Sequence, residues 1–70
     1  MPKNERLWNL IESYEALAAL QDAAADLFVT EAEREGWRYD QTRAVDMLRH
    51  HARTSRHLAQ EVRDGMTETP

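Results

Sequence analysis

Four arginines, Arg49, Arg53, Arg56 and Arg63, follow one another at offsets of four, three and seven. On a helix that spacing gathers side chains into one stripe, and the planar arginine fork suits phosphate and carboxylate oxygens alike. The stripe has two readings. Either it contacts nucleic acid or an acidic partner from outside, or it forms a solvated rim of ion pairs with an acidic stretch of the same chain. The chain supplies such a stretch: residues 1–35 carry a net charge of −5, residues 41–63 carry +3 before histidines are counted, and the whole stands at −4. An acidic total favours the internal pairing, because dedicated nucleic-acid binders usually carry a basic balance.

The other residue types able to do chemistry fall at spacings that do not assemble a reaction centre. His50 and His57 are seven apart with Glu61 one turn beyond, and His51 adjoins them. Two imidazoles two helical turns apart stand about 10 Å from each other, too far to share one ion within a helix. Glu12, Glu15, Asp22 and Asp26 recur at the spacing of a solvated helix face, Ser13 and Ser55 sit in no recognisable nucleophile elbow, and no glycine-rich loop exists to cradle phosphate. No cysteine is present, which removes disulfides, thiol catalysis and cysteine zinc sites. The expectation is a protein without catalytic residues, metal or cofactor, and without a small-molecule substrate.

The aromatic residues are better placed for recognition. Trp37 and Tyr39 bracket Arg38 beside Gly36, where they either lock a turn onto its flanking helices or anchor a partner. Trp8 lies beside the main apolar stripe near the opposite end, and a two-helix unit has no third surface to cover it.

Two helices must position these groups. Leu7, Leu10, Ile11, Tyr14, Leu17, Ala18, Ala24, Ala25 and Phe28 recur in steps of three and four, with Gln21 the one polar residue on the stripe. With Asn4 as N-cap, the pattern predicts a helix over about residues 5–35. Leu20 and Leu27 widen the stripe toward a second flank, so this helix should meet more than one neighbour. Gly36 can adopt the left-handed conformation that ends a helix, and Asp40 can cap the next. A second helix over about 41–63 carries Ala44, Val45, Leu48, Ala52, Ala59 and Val62, with Met47 and Leu58 beside them. Thr54 and Ser55 are good caps in their own right, so a break near 54 is the alternative to a continuous helix. Residues 66–70 show no pattern and read as a frayed tail to a single domain spanning 1–65.

The expected fold is therefore all-α, an antiparallel helical hairpin. Ten of its apolar residues are alanine, so the seam allows close approach but buries little area per turn. A chain of this size sits near the point where hydrophobic gain barely offsets an ordering cost of about 1.5 kcal/mol per residue. Completion of a helical bundle by dimerisation or partner docking follows, with Trp8, Leu10, Ile11, Leu17, Phe28, Trp37 and Tyr39 as the candidate interface. No run of 18 apolar residues is present, and Met1–Arg6 leads into an amphipathic segment instead of an apolar one, so neither membrane insertion nor secretion is expected and the cytoplasm is the expected compartment.

One stretch resembles a known family. Ala44-Val45-Asp46-Met47-Leu48-Arg49-His50-His51-Ala52-Arg53, with Gly36 upstream and Leu58-Ala59-Gln60-Glu61-Val62 downstream, resembles the C-terminal part of the ANTAR domain, a helical RNA-binding module of bacterial antitermination regulators. The resemblance implies three helices, a dimerising first helix, and RNA-hairpin contacts through the face bearing Arg49 and Arg53. The expectation drawn from the residues themselves is a protein partner or a second copy, in the manner of small helical inhibitors, adaptors and regulators of bacteria and phages. RNA is the alternative partner.

Overall fold

The computed structural model describes residues 2–36 and 39–68, with side chains described over 5–36 and 43–67. It contains two helices, α1 (Pro2–Glu35) and α2 (Tyr39–Glu68), packed side by side as a hairpin. The hairpin measures 54 × 16 × 10 Å. At a rise of about 1.5 Å per residue, α1 alone spans nearly the full length.

Four contacts between the helices fix direction and register together. Arg49 reaches Asp26, Ser55 reaches Gln21, Arg56 reaches Asp22 and Arg63 reaches Glu15. As the numbers rise on α2 they fall on α1, which defines an antiparallel pair.

The seam between the helices repeats every seven residues. Ile11, Ala18 and Ala25 face Val45, Ala52 and Ala59, and all six are 7% exposed or less. Leu7, Tyr14, Gln21 and Phe28 on α1 complete the alternation of fours and threes as half-buried positions, as do Leu48 and Val62 on α2. This is the sequence period of a left-handed coiled coil, in which an apolar seam keeps facing its partner along the whole length. Ile11 is the one large side chain fully buried among the described residues. Alanine elsewhere lets the two backbones approach closely.

Among the described residues Ser55 is the one polar side chain buried in the seam. Its hydroxyl donates a single proton shared between the Gln21 side-chain oxygen at 3.1 Å and the His51 carbonyl at 2.9 Å. The bond to His51 is a contact one turn back along the same helix, so Ser55 satisfies itself without interrupting α2. Helix α2 therefore runs unbroken through residue 54, as the continuous reading had it, although Thr54 and Ser55 would serve as caps elsewhere.

Three boundaries differ from the sequence reading. Helix α1 begins at Pro2, which is tolerated in a first turn because its missing N–H has no intrahelical partner there, so Asn4 lies within the helix instead of capping it. Helix α2 opens at Tyr39, placing Asp40 inside its first turn. It also continues past residue 63 and through Gly65 to Glu68, where an unpatterned tail was expected. Met66 continues the seven-residue repeat of Ala52 and Ala59 and is half-buried, and the Thr67 hydroxyl donates to the Asp64 carbonyl. Those contacts hold the last turn despite the glycine.

The two glycines play opposite roles. Gly36 ends α1 with φ at +69°, in the left-handed region that side chains disfavour. Gly65 is an ordinary helical position, and a Cβ there would meet nothing within 4 Å. Replacing Gly36 by alanine should therefore destabilise the hairpin by about 1 kcal/mol, and by valine more. Gly65→Ala should stabilise it by up to about 1 kcal/mol through helix propensity. Thermal melts of both variants check this: opposite shifts of about 4–8 °C per kcal/mol are expected, and a rise in melting temperature for Gly36→Ala would refute the cap.

Candidate functional site

The two helices present different chemistry on the two sides of their seam. On α1, Glu15 and Asp22 lie four residues after Ile11 and Ala18, whereas Leu10 and Leu17 lie one residue before them. That places the acidic residues and the leucines about 150° apart around the helix. One side of the hairpin carries the inter-helix charges, and the other carries the exposed leucines of α1.

On the charged side, Arg49 contacts Asp26 at 3.2 Å, Arg63 contacts Glu15 at 2.7 Å, and Arg56 pairs with Asp22. Arg49, Arg56 and Arg63 are seven apart, so a coiled-coil period holds them in line toward α1. Arg53 falls between these positions, is exposed, and makes no ion pair among the described residues. Three members of the arginine stripe thus bond to the acidic helix of their own chain. Each pair is solvated, with Arg56 side-chain exposure of 53% against 32% for Asp22. Pairs of this kind contribute about 0.2–1 kcal/mol each and weaken with salt. Their larger effect is on register.

The apolar side is dominated by α1. Leu10, Leu17, Leu20 and Leu27 are 40%, 44%, 68% and 66% exposed, and α2 adds Met47 at 53%. A shallow depression of about 350 Å³ on this side is lined by Ala24, Leu27, Phe28 and Glu31. Ile11, expected at an intermolecular interface, is instead fully buried against α2. Phe28 is half-buried, bridging the seam and the open flank. Trp8 lies on the other side of α1, 48% exposed, where it shares a recess of about 280 Å³ with Arg63, Met66 and Thr67 at the open end of the hairpin. Trp37 and the side chain of Tyr39 lie outside the described residues.

Of the other groups weighed for chemistry, Ser13 and His57 have partners one turn away on their own helices. The Ser13 hydroxyl donates to the Asn9 carbonyl at 2.8 Å, one turn back. His57 Nε2 lies 3.2 Å from Glu61, and the His50 and His51 rings stand 5.8 Å apart and tilted. Among the described residues no three histidine, aspartate or glutamate side chains converge as a metal site would require. No described helix is long and apolar enough to cross a membrane.

Two parts of this surface were absent from the sequence-derived interface. Leu20 and Leu27 are its most exposed leucines, and the signal for them was their shared offset from the main stripe. Gln21 looked like a blemish in an apolar row, yet it is the partner of the buried Ser55. Only the facing helix, which no local pattern reveals, explains it.

No protein-family model, curated protein or solved structure matches the chain.

The charged side yields a direct test. In a double-mutant cycle with Arg56→Gln and Asp22→Asn, the coupling energy should be about 0.2–1 kcal/mol at low salt and should shrink toward zero in molar salt. A coupling that is both larger and salt-independent would mean that this pair is shielded from water and contributes as a buried one.

Proposed function

We propose that this protein is a small non-enzymatic interaction module, of the inhibitor, adaptor or regulator kind, that binds a protein surface, a partner's or a second copy's, through the outward flank of α1. The observation that carries this reading is the row formed by Leu10, Leu17, Leu20 and Leu27. These four leucines remain 40–68% exposed after the hairpin has closed its own seam. Scattered exposed leucines need no explanation, but a continuous apolar strip along one helix flank is the usual mark of a binding surface. Amphipathic helices are recognised through such rows in helix-to-helix contacts.

Reading the chain as an ANTAR-like binder of RNA hairpins makes the opposite demand on the molecule, since it needs the arginines of α2 for phosphate. Arg53 is available for that role, while Arg49, Arg56 and Arg63 would first have to leave Asp26, Asp22 and Glu15. The protein-binding reading needs no such rearrangement.

One experiment separates them. The tagged chain is used to capture partners from lysate with and without nuclease, beside a Leu20→Glu/Leu27→Glu variant. Capture of protein that survives nuclease and is lost in the variant is the expected outcome. Capture that depends on nucleic acid, persists in the leucine variant and disappears when Arg49, Arg53 and Arg56 are replaced by glutamine would favour RNA, with the steep salt dependence that counterion release imposes.

A further inference from the structure

The exposed flank of α1 carries a second seven-residue repeat that the contact with α2 leaves unused. Its core members are Leu10, Leu17, Leu20 and Leu27, separated by seven, three and seven. The pattern reads the same in both directions from the point between Ala18 and Ala19. Leu17 mirrors Leu20, the small residues Ser13 and Ala24 mirror each other, and Leu10 mirrors Leu27. One step further out, Arg6 mirrors Glu31, a basic residue against an acidic one.

We propose that this flank pairs with the same flank of a second copy, antiparallel, about a two-fold axis that crosses α1 between Ala18 and Ala19. The proposal rests on the reading of that flank as a binding surface and names its partner. A contact between identical patches must be self-complementary, each residue meeting its mirror on the other copy. The mirrored leucines satisfy that requirement through apolar contact, and Arg6 with Glu31 satisfies it through opposite charge in the layer beyond them, while the next pair out, Lys3 with Arg34, is basic on both sides. Antiparallel coiled coils also alternate the two core positions of the repeat across each layer. Leu10 with Leu27 and Leu17 with Leu20 are such layers.

The shape of the surface agrees with this register. The depression lined by Ala24, Leu27, Phe28 and Glu31 is a four-residue hole of the type that receives one knob in coiled-coil packing. The proposed register delivers Leu10 of the second copy to that hole and brings its Arg6 beside Glu31, which among the described residues of its own chain makes an exposed contact to Arg34 at 3.8 Å. The area also agrees. The hairpin exposes 5570 Å², whereas a compact monomer of 8.2 kDa exposes about 4,500 Å². That excess reflects the elongated shape of the hairpin, and it leaves room for the ~800 Å² that each partner buries in a stable interface of standard size. In the resulting assembly the two α1 helices lie at the centre and the two α2 helices outside, with each charged side left in water.

Sedimentation equilibrium of the full chain across the micromolar range should give a mass twice 8.2 kDa. Leu17→Glu/Leu20→Glu puts like charges face to face at the axis and should weaken association by about tenfold or more. Both leucines are exposed in the hairpin, so helix content by circular dichroism checks that its own seam survives. Register is read independently by thiol cross-linking, for which the cysteine-free chain is a clean background. With a short bismaleimide, a mixture of Leu10→Cys and Leu27→Cys chains should cross-link, whereas each alone should not, since identical positions lie about 25 Å apart along the axis. Arg6→Glu or Glu31→Arg alone should weaken the dimer about two- to fivefold, and the two together should restore it. A chain that stays monomeric throughout the range overturns the proposal, as does Leu10→Cys cross-linking to itself as readily as to Leu27→Cys. A monomer whose nuclease-resistant capture of another protein is abolished by Leu20→Glu/Leu27→Glu would retain the proposed function with a different partner, so the two readings fail separately.

Discussion

Close contact of two helices through alanine is the constraint on which the rest of this molecule depends. Ala18 and Ala25 face Ala52 and Ala59, with Ile11 and Val45 nearer the two ends, all nearly inaccessible to water. Small side chains at seven-residue intervals bring the backbones together, and dispersion between closely packed surfaces replaces the bulk of a larger core. The same choice limits the apolar area that the hairpin can bury on its own. A seam of this kind settles how the helices pack while leaving their outer surfaces to be defined by what lies on each flank.

The flanks divide the labour. On one side Glu15, Asp22 and Asp26 meet Arg63, Arg56 and Arg49, adding little energy per pair but opposing any slip of one helix along the other, since a shift by a full turn would separate every pair at once. Ser55 and Gln21 reinforce the same register from within the seam, because a buried hydroxyl moved opposite an alanine would lose its cross-helix partner. On the other side the polar groups thin out and leucine dominates. Polar specification and apolar attraction are thus carried by opposite faces of an object only 16 Å across.

Much of this was legible in the residue pattern. The all-α hairpin followed from steps of three and four interrupted once, and Gly36 marked the turn because no other residue type enters the left-handed region as easily. The segregation of acidic from basic residues already suggested that the two helices neutralise each other. What the pattern could not supply was rotation about each helix axis. Leu10 and Ile11 are neighbours in sequence, and only the position of α2 decides that Ile11 is buried while Leu10 faces water. The continuation of α2 past Gly65 was hidden for a similar reason. Residues 66–70 show no apolar pattern of their own, and Met66 finds its place only in a recess shared with Trp8 of α1.

The short connection between α1 and α2 also grades the contacts of the hairpin by the length of chain that each one closes. Contacts nearest the turn close the shortest chain segments, and each pair farther out adds only a small increment of loop entropy once the inner ones exist. Arg49 and Asp26 are 23 residues apart, Arg56 and Asp22 are 34, and Arg63 and Glu15 are 48. Loop entropy favours closing such a graded series from the glycine outward and opening it from the other end. On that ground the recess lined by Trp8, Met66 and Thr67 is expected to form last and to open first, which hydrogen exchange of the two helix ends would read.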